Sequence, residues 1–175
     1  DFLKKRKSFL DGVVLSGGEP LLQSGAADFL AAIKSLGFAV KLDTNGCYPE
    51  ELEEILKRKL VDYVAMDIKN CPARYGETAG VSNLDLSKIE ESMHFLMTGE
   101  LDYEFRTTVV EAFHKEEDFE SIGKWIAGAK AYYLQNFVDS GDLIVPGLQG
   151  VTPKKMATFA DIASRYVHNT QLRGL

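Results

Sequence analysis

Apolar residues recur along this chain in two rhythms that take turns: short runs of β-branched and aromatic positions, then stretches in which apolar side chains return every three or four residues. That alternation predicts a parallel sheet with crossover helices. The first strand covers 13–16. After a Gly-Gly turn comes a helix over 25–36, in which Ala26, Phe29, Leu30 and Ile33 share a face and Gly37 closes the end as a C′ residue. The second strand covers 39–43. Its helix opens on Pro49, with Glu50 and Glu51 in the first turn and Lys57, Arg58 and Lys59 in the last, an order that suits the helix dipole. A third strand over 61–69 leads through a loop with Pro72 and Gly80 to a helix that Ser87 and Glu90 open as a capping box and Gly99 ends. A strand over 103–110, a helix over 116–128 and a strand over 131–137 follow. Beyond a glycine-rich loop, Thr152-Pro153 opens a last helix that reaches about 165, and 167–172 make a short final strand.

Alternation within the strands separates two faces. Lys41 and Asp43, Asp67 and Lys69, Glu104, Arg106 and Thr108, and Gln135 fall on one side, while Val40, Leu42, Val64, Met66, Ile68, Phe105 and Val109 fall on the other. A closed eight-stranded barrel packs its interior with branched apolar side chains, so a charged interior would bury ions at high cost. An open, wider (β/α) barrel with a wet or ligand-filled lumen removes that conflict. A doubly wound sheet whose polar residues fall at strand ends is the alternative.

Ahead of the first strand, Phe2, Leu3, Phe9 and Leu10 read as one apolar face of a helix, and the chain opens on Asp1, so an upstream segment is expected to be missing. Lys4-Lys5-Arg6-Lys7 reads as the solvated face of that helix. With 175 residues, 45% of them hydrophobic, the chain is expected to form one domain, 1–175. A formal net charge of −6 argues against a nucleic-acid partner. The two cysteines, Cys47 and Cys71, can neither make a disulfide framework nor ligate a four-iron cluster by themselves. Neither an apolar run of membrane-spanning length nor a signal-peptide pattern occurs, which points to the cytoplasm and away from membranes.

Gly17-Gly18-Glu19-Pro20 is the sharpest local signal, placed directly after a strand and before a helix. Its glycines let backbone approach a ligand, and Glu19 offers a carboxylate at the mouth of the barrel. Asp43-Thr44-Asn45-Gly46 also ends a strand. Its Asn-Gly pair would suit a hairpin, but Pro49-Glu50-Glu51 starts a helix instead of a return strand. Asp67 and Lys69 share a strand face, either as a structural ion pair or as part of a site beside Asp43 and Thr44. Together these residues offer both signs of charge to a zwitterionic ligand. His94, His114 and His168 are scattered without paired spacing and read as surface residues; Trp125 with Phe119, Ile122 and Ile126 reads as packing, and the Tyr132-Tyr133 pair mainly as core.

In their order, Gly17-Gly18-Glu19-Pro20, Asp43-Thr44-Asn45-Gly46 and Asp67-Ile68-Lys69 resemble the radical S-adenosylmethionine (radical SAM) enzymes that activate glycyl radical enzymes, the pyruvate formate-lyase activating type among them. The segment 61–70, Leu134-Gln135-Asn136-Phe137 and Leu172-Arg173-Gly174 are similar to the branch that activates anaerobic ribonucleoside-triphosphate reductase. The resemblance implies an α/β fold, a partial, open (β/α) barrel with parallel strands and outer helices that lacks its first strand and cluster loop. It implies S-adenosylmethionine and a 4Fe-4S cluster as cofactors. The cofactor's amino group would be held at Gly17, Gly18, Glu19 and Pro20. Asp43, Thr44 and Asn45 would lie near its polar groups, and Lys69 would face its carboxylate. A monovalent cation could sit at Asp43, Thr44, Ala65 and Asp67, and Arg106 and Gln135 would line the lumen.

The implied reaction is reductive cleavage of S-adenosylmethionine to a 5′-deoxyadenosyl radical, which takes hydrogen from a backbone glycine of a large partner such as anaerobic ribonucleotide reductase or pyruvate formate-lyase. A flavodoxin or ferredoxin-type protein would supply the electron. One departure matters. The family's cluster loop has the form Cys-x3-Cys-x2-Cys, and no cysteine precedes Gly17, so no metal ligand is assigned and the 175 residues alone are expected to be inactive. A cluster-free binder of S-adenosylmethionine or a nucleotide stays open, as does a radical enzyme acting on a small molecule or peptide.

Overall fold

A computed structural model describes residues 2–139, 141 and 146–174, so Asp1 and part of the glycine-rich loop lie outside the described residues. In chain order the elements are α1 (Phe2–Lys5), β1 (Gly12–Leu15), α2 (Ala26–Ser35), β2 (Ala39–Thr44), α3 (Pro49–Lys57), β3 (Tyr63–Asp67), α4 (Tyr75–Ala79), α5 (Leu86–Thr98), β4 (Asp102–Val109), α6 (Glu116–Trp125), β5 (Tyr132–Asn136), α7 (Pro153–Ser164) and β6 (Thr170–Arg173). The residues form two compact units. The first runs through Asp67 and includes Ser87–Tyr103; the second comprises Ile68–Leu86 and the chain from Glu104 onward.

In the first unit β1, β2 and β3 are parallel neighbours, with Val13 opposite Val40, Leu42 opposite Val64 and Asp43 opposite Ala65. Parallel pairing needs a crossover, which α2 and α3 supply. Val40, Leu42, Val64 and Met66 are buried together with Leu30 and Ile33 of α2, Leu52 and Ile55 of α3, and Ile89 and Leu96 of α5. Each such side chain contributes roughly 1.5–3 kcal/mol when fully buried. The opposite face carries Lys41, Asp43 and Asp67, which are half-buried.

In the second unit β5 pairs in parallel with β4 and with β6, and α6 packs on α7. Phe105, Thr107, Tyr132 and Leu134 face the buried side; Phe119 and Phe159 stack at 4.3 Å between the two helices. The other side again presents polar groups in register, Arg106 beside Tyr133 and Gln171, then Thr108 beside Gln135 and Arg173. The separation of polar and apolar faces expected from the alternation holds within both units. The Tyr132-Tyr133 pair is divided by it. Tyr132 is buried with its hydroxyl 2.7 Å from Thr107 Oγ1, whereas Tyr133 lies on the polar side.

Several boundaries differ from the sequence expectation for local reasons. Strand β3 stops at Asp67 and does not reach Lys69. Helix α5 begins at Leu86, one residue ahead of the opening expected at Ser87. Helix α6 ends at Trp125, ahead of the left-handed Gly128 (φ 84°). At the start, α1 stops after four residues, and Phe2 and Phe9 are 63% and 84% exposed, so the expected shared apolar face does not form. Arg6 instead lays its guanidinium 4.6 Å from the Phe2 ring centre.

Candidate ligand site

The turn after β1 is built from Ser16 to Pro20. Gly17 has φ 113°, a conformation that side chains rarely adopt, and no atom lies within 4 Å of where a Cβ would stand on Gly17 or Gly18. Pro20 opens a 3-10 turn over Pro20–Leu22, and the Glu19 carboxylate caps it by accepting the Leu21 N–H at 3.0 Å. The same carboxylate reaches the end of β2. It accepts the Thr44 hydroxyl at 3.0 Å and the Asn45 N–H at 2.6 Å.

That strand end is itself fixed. Thr44 Oγ1 accepts the Gly46 N–H at 3.1 Å, Asn45 Oδ1 accepts the Cys47 N–H at 2.9 Å, and buried Ser92 of α5 donates to the Gly46 carbonyl at 2.8 Å. Gly46 has φ 76°, and a Cβ there would stand 2.1 Å from Met66 Cε. The Asn45-Gly46 pair therefore makes a tight strand-to-helix turn and no hairpin. Asp43 accepts from Ser16 Oγ at 3.2 Å and lies 3.3 Å from Lys41 Nζ, while Asp67 stands two residues beyond the Ala65 that faces Asp43. Beside the turn, a cavity of about 530 Å³ is lined by Gly17, Gly18, Glu19, Leu22 and Phe29 among others, within the range of small-molecule sites.

The first unit thus gathers Gly17, Gly18, Glu19, Pro20, Asp43, Thr44, Asn45, Ala65 and Asp67. Lys69, Arg106 and Gln135 belong to the second unit. There Lys69 lends its carbonyl to His114 Nε2 at 3.0 Å. Reading all three histidines as surface residues is corrected at this one. His94 and His168 are exposed, but His114 is 1% exposed and its Nδ1 accepts the Val110 N–H at 3.1 Å. Burial pushes its pKa below the ordinary imidazole value, against the hydrogen bonds to Lys69 and Val110. Arg173, named in sequence only within Leu172-Arg173-Gly174, proves to hold a buried acid. It forms two hydrogen bonds to Glu104, at 2.7 and 2.8 Å, over the Tyr133 ring 3.5 Å away, a pairing across 69 residues for which the sequence carried no signal.

No family model matches the chain. A Methanocaldococcus jannaschii protein named "Putative glycyl-radical enzyme activating enzyme" is 35% identical over 171 residues, covering 94% of this chain and 71% of that protein. The chain belongs to the glycyl-radical enzyme activating enzyme family. A second protein of that description from the same organism is 37% identical over 60 residues, 34% of this chain and 22% of that protein. Among solved structures, a domain of the pyruvate-formate lyase-activating enzyme from Bacteroides vulgatus superposes with a TM-score of 0.73 at 19% identity, covering 93% of this chain and 99% of that one. A radical SAM methyltransferase from Sphaerobacter thermophilus gives 0.76 at 13% identity, over 97% and 53%. Streptococcus suis SuiB bound to S-adenosylmethionine gives 0.73 at 10% identity, over 99% and 40%. At such identities the likeness speaks for the fold, and that fold is the α/β partial barrel of radical SAM proteins anticipated from the motifs.

Radical SAM proteins use S-adenosylmethionine and an iron–sulfur cluster, and the residues of this activating-enzyme chain fit the two unequally. An open glycine turn with carboxylates around it suits a ligand that carries an ammonium and a sulfonium. For the cluster, no group of three or more His, Cys, Asp or Glu among the described residues could hold a metal ion. Cys71 is buried and donates to Asp118 at 3.3 Å, and Cys47 belongs to the other unit. The described residues do not fit a cluster.

Proposed function

We propose that this chain is the S-adenosylmethionine-binding part of an activating enzyme that places a radical on a backbone glycine of a large partner enzyme of the anaerobic ribonucleotide reductase or pyruvate formate-lyase type. The observation that carries this reading is the open Gly17-Gly18 turn, locked through Glu19 to Thr44 and Asn45 next to Asp43. In an intact enzyme that held a four-iron cluster, the bound cofactor would supply hydrogen-abstraction chemistry; the described residues do not fit such a cluster. The part of this chain is to bind and orient. The glycine turn takes the cofactor's amino end. Asp43 and Asp67, with Thr44 and the Ala65 carbonyl, supply the oxygens of a monovalent-cation site against its carboxylate. A flavodoxin or ferredoxin-type donor delivers the electron to the intact enzyme.

Calorimetric titration with S-adenosylmethionine tests the assignment. Binding is expected, and Asp43→Ala and Asp67→Ala each weaken it about tenfold, the size of one charge-assisted hydrogen bond. Unchanged affinity in both variants would sink these roles. Anaerobic assay with iron, sulfide, reductant and S-adenosylmethionine is expected to release no 5′-deoxyadenosine from these 175 residues alone and to release it from a form that holds the cluster. Absence in both, with binding retained, would favour a non-catalytic binder.

A further inference from the structure

Resting on the reading of the ligand as S-adenosylmethionine, we infer that Glu19 is a positioning residue: its carboxylate locks the Gly17-Gly18 turn to the end of β2 and does not itself receive the ligand's ammonium. A carboxylate offers two oxygens, and both are engaged inside the protein. Oε1 takes the Leu21 N–H and the Thr44 hydroxyl, and Oε2 takes the Asn45 N–H. Thr44 has one hydroxyl hydrogen and spends it on Glu19, and one of its two lone pairs takes the Gly46 N–H. Gly46 is held from behind by Ser92.

An unbroken chain of hydrogen bonds therefore runs from α5 through Ser92, Gly46, Thr44 and Glu19 to Leu21. Ser92, at 0% exposed, is beyond reach of a ligand on the surface. What the turn leaves open is the backbone of Gly17 and Gly18, with nothing within 4 Å of either Cβ position. The ammonium is read there by main chain, and Glu19 acts through the placement of that main chain. Glutamine at 19 would set an amide N–H₂ against a donor already in place, since an amide has one accepting oxygen where the carboxylate has two.

Two measurements on the 175-residue chain test this. In the ligand-free protein, amide exchange followed by NMR is expected to speed up at least about tenfold at Leu21 or Asn45 in Glu19→Gln, the loss of one charge-assisted bond; unchanged exchange at both would refute the lock. The second compares binding of S-adenosylhomocysteine with its desamino analogue. The expected result is that Glu19→Gln and Ser92→Ala weaken both ligands by the same factor, because both variants loosen the turn. Loss confined to the amine-bearing ligand in Glu19→Gln, with Ser92→Ala unaffected, would make Glu19 a direct ligand and overturn the inference. If the unaltered chain binds neither ligand, the S-adenosylmethionine reading fails, and the exchange data still decide the lock.

Discussion

Two glutamates, one in each unit, solve the same problem in opposite ways. Glu104 on β4 is 2% exposed and meets its counter-charge in full, with both oxygens on the Arg173 fork and the guanidinium seated on Tyr133. Glu19 is half-buried and is held by two N–H groups and a hydroxyl, none of them charged. A carboxylate paired with arginine is electrically quiet and serves the fold. One held by neutral donors keeps its negative field and can attract a cationic ligand even though its oxygens are already occupied. Partner chemistry, more than burial, separates the structural acid from the one near the site.

The largest effect should come from breaking the quiet pair. Arg173→Met strands the Glu104 carboxylate in a place with almost no water and is expected to cost about 3 kcal/mol in urea unfolding, with much of that recovered in the double variant with Glu104→Gln. If the double variant recovers nothing, the pair is not the unit that matters. Next comes Gly46→Ala, about 2 kcal/mol, from a left-handed backbone together with a methyl driven toward Met66; shortening Met66 to alanine in the same protein should relieve only the steric share. Glu19→Gln should cost less, about 1 kcal/mol, because exposed parts of the turn can turn to water. Its stability loss is therefore small beside its effect on binding, the reverse of Arg173→Met.

The two motifs that end β1 and β2 were legible because glycine, proline and asparagine there answer to backbone conformation, which is local. Gly17 and Gly46 both take positive φ. The polar and apolar faces were legible for the same kind of reason, since a period of two needs no knowledge of partners. What sequence could not show was where each polar group spends its hydrogen bonds. Glu19 looks like an offered carboxylate until Thr44 and Asn45 are placed 25 and 26 residues away. His114 looks like a loop residue until Lys69 comes to it across 45 residues, and Glu104 finds Arg173 across 69. Long-range pairing decided each role.

The smallest expected effect separates the units by pH. His114 in the second unit is buried neutral, its Nε2–H on the Lys69 carbonyl and its Nδ1 accepting from Val110, and burial lowers its pKa below the ordinary value. The unfolded chain then binds a proton in a range where the folded chain does not, so stability rises with pH there. The contribution is fully present above the ordinary imidazole pKa of about 6.5 and is lost as pH falls through the lowered folded value. Asp62 in the first unit is also depressed. Its partial burial opposes ionisation, but the bonds from Lys34 and the Val40 N–H outweigh it, so its contribution survives to a lower pH, below the ordinary carboxylate value. Trp125, the one tryptophan, lies in the second unit edge-on to Tyr75 at 5.9 Å and reports on it by fluorescence. Urea midpoints read from Trp125 should fall between pH 7.5 and about 5.5, and His114→Gln, which keeps a donor and an acceptor but cannot take up a proton, should flatten that slope. An equal slope in the glutamine variant would mean that the proton is taken up elsewhere and that His114 is not what distinguishes the second unit from the first.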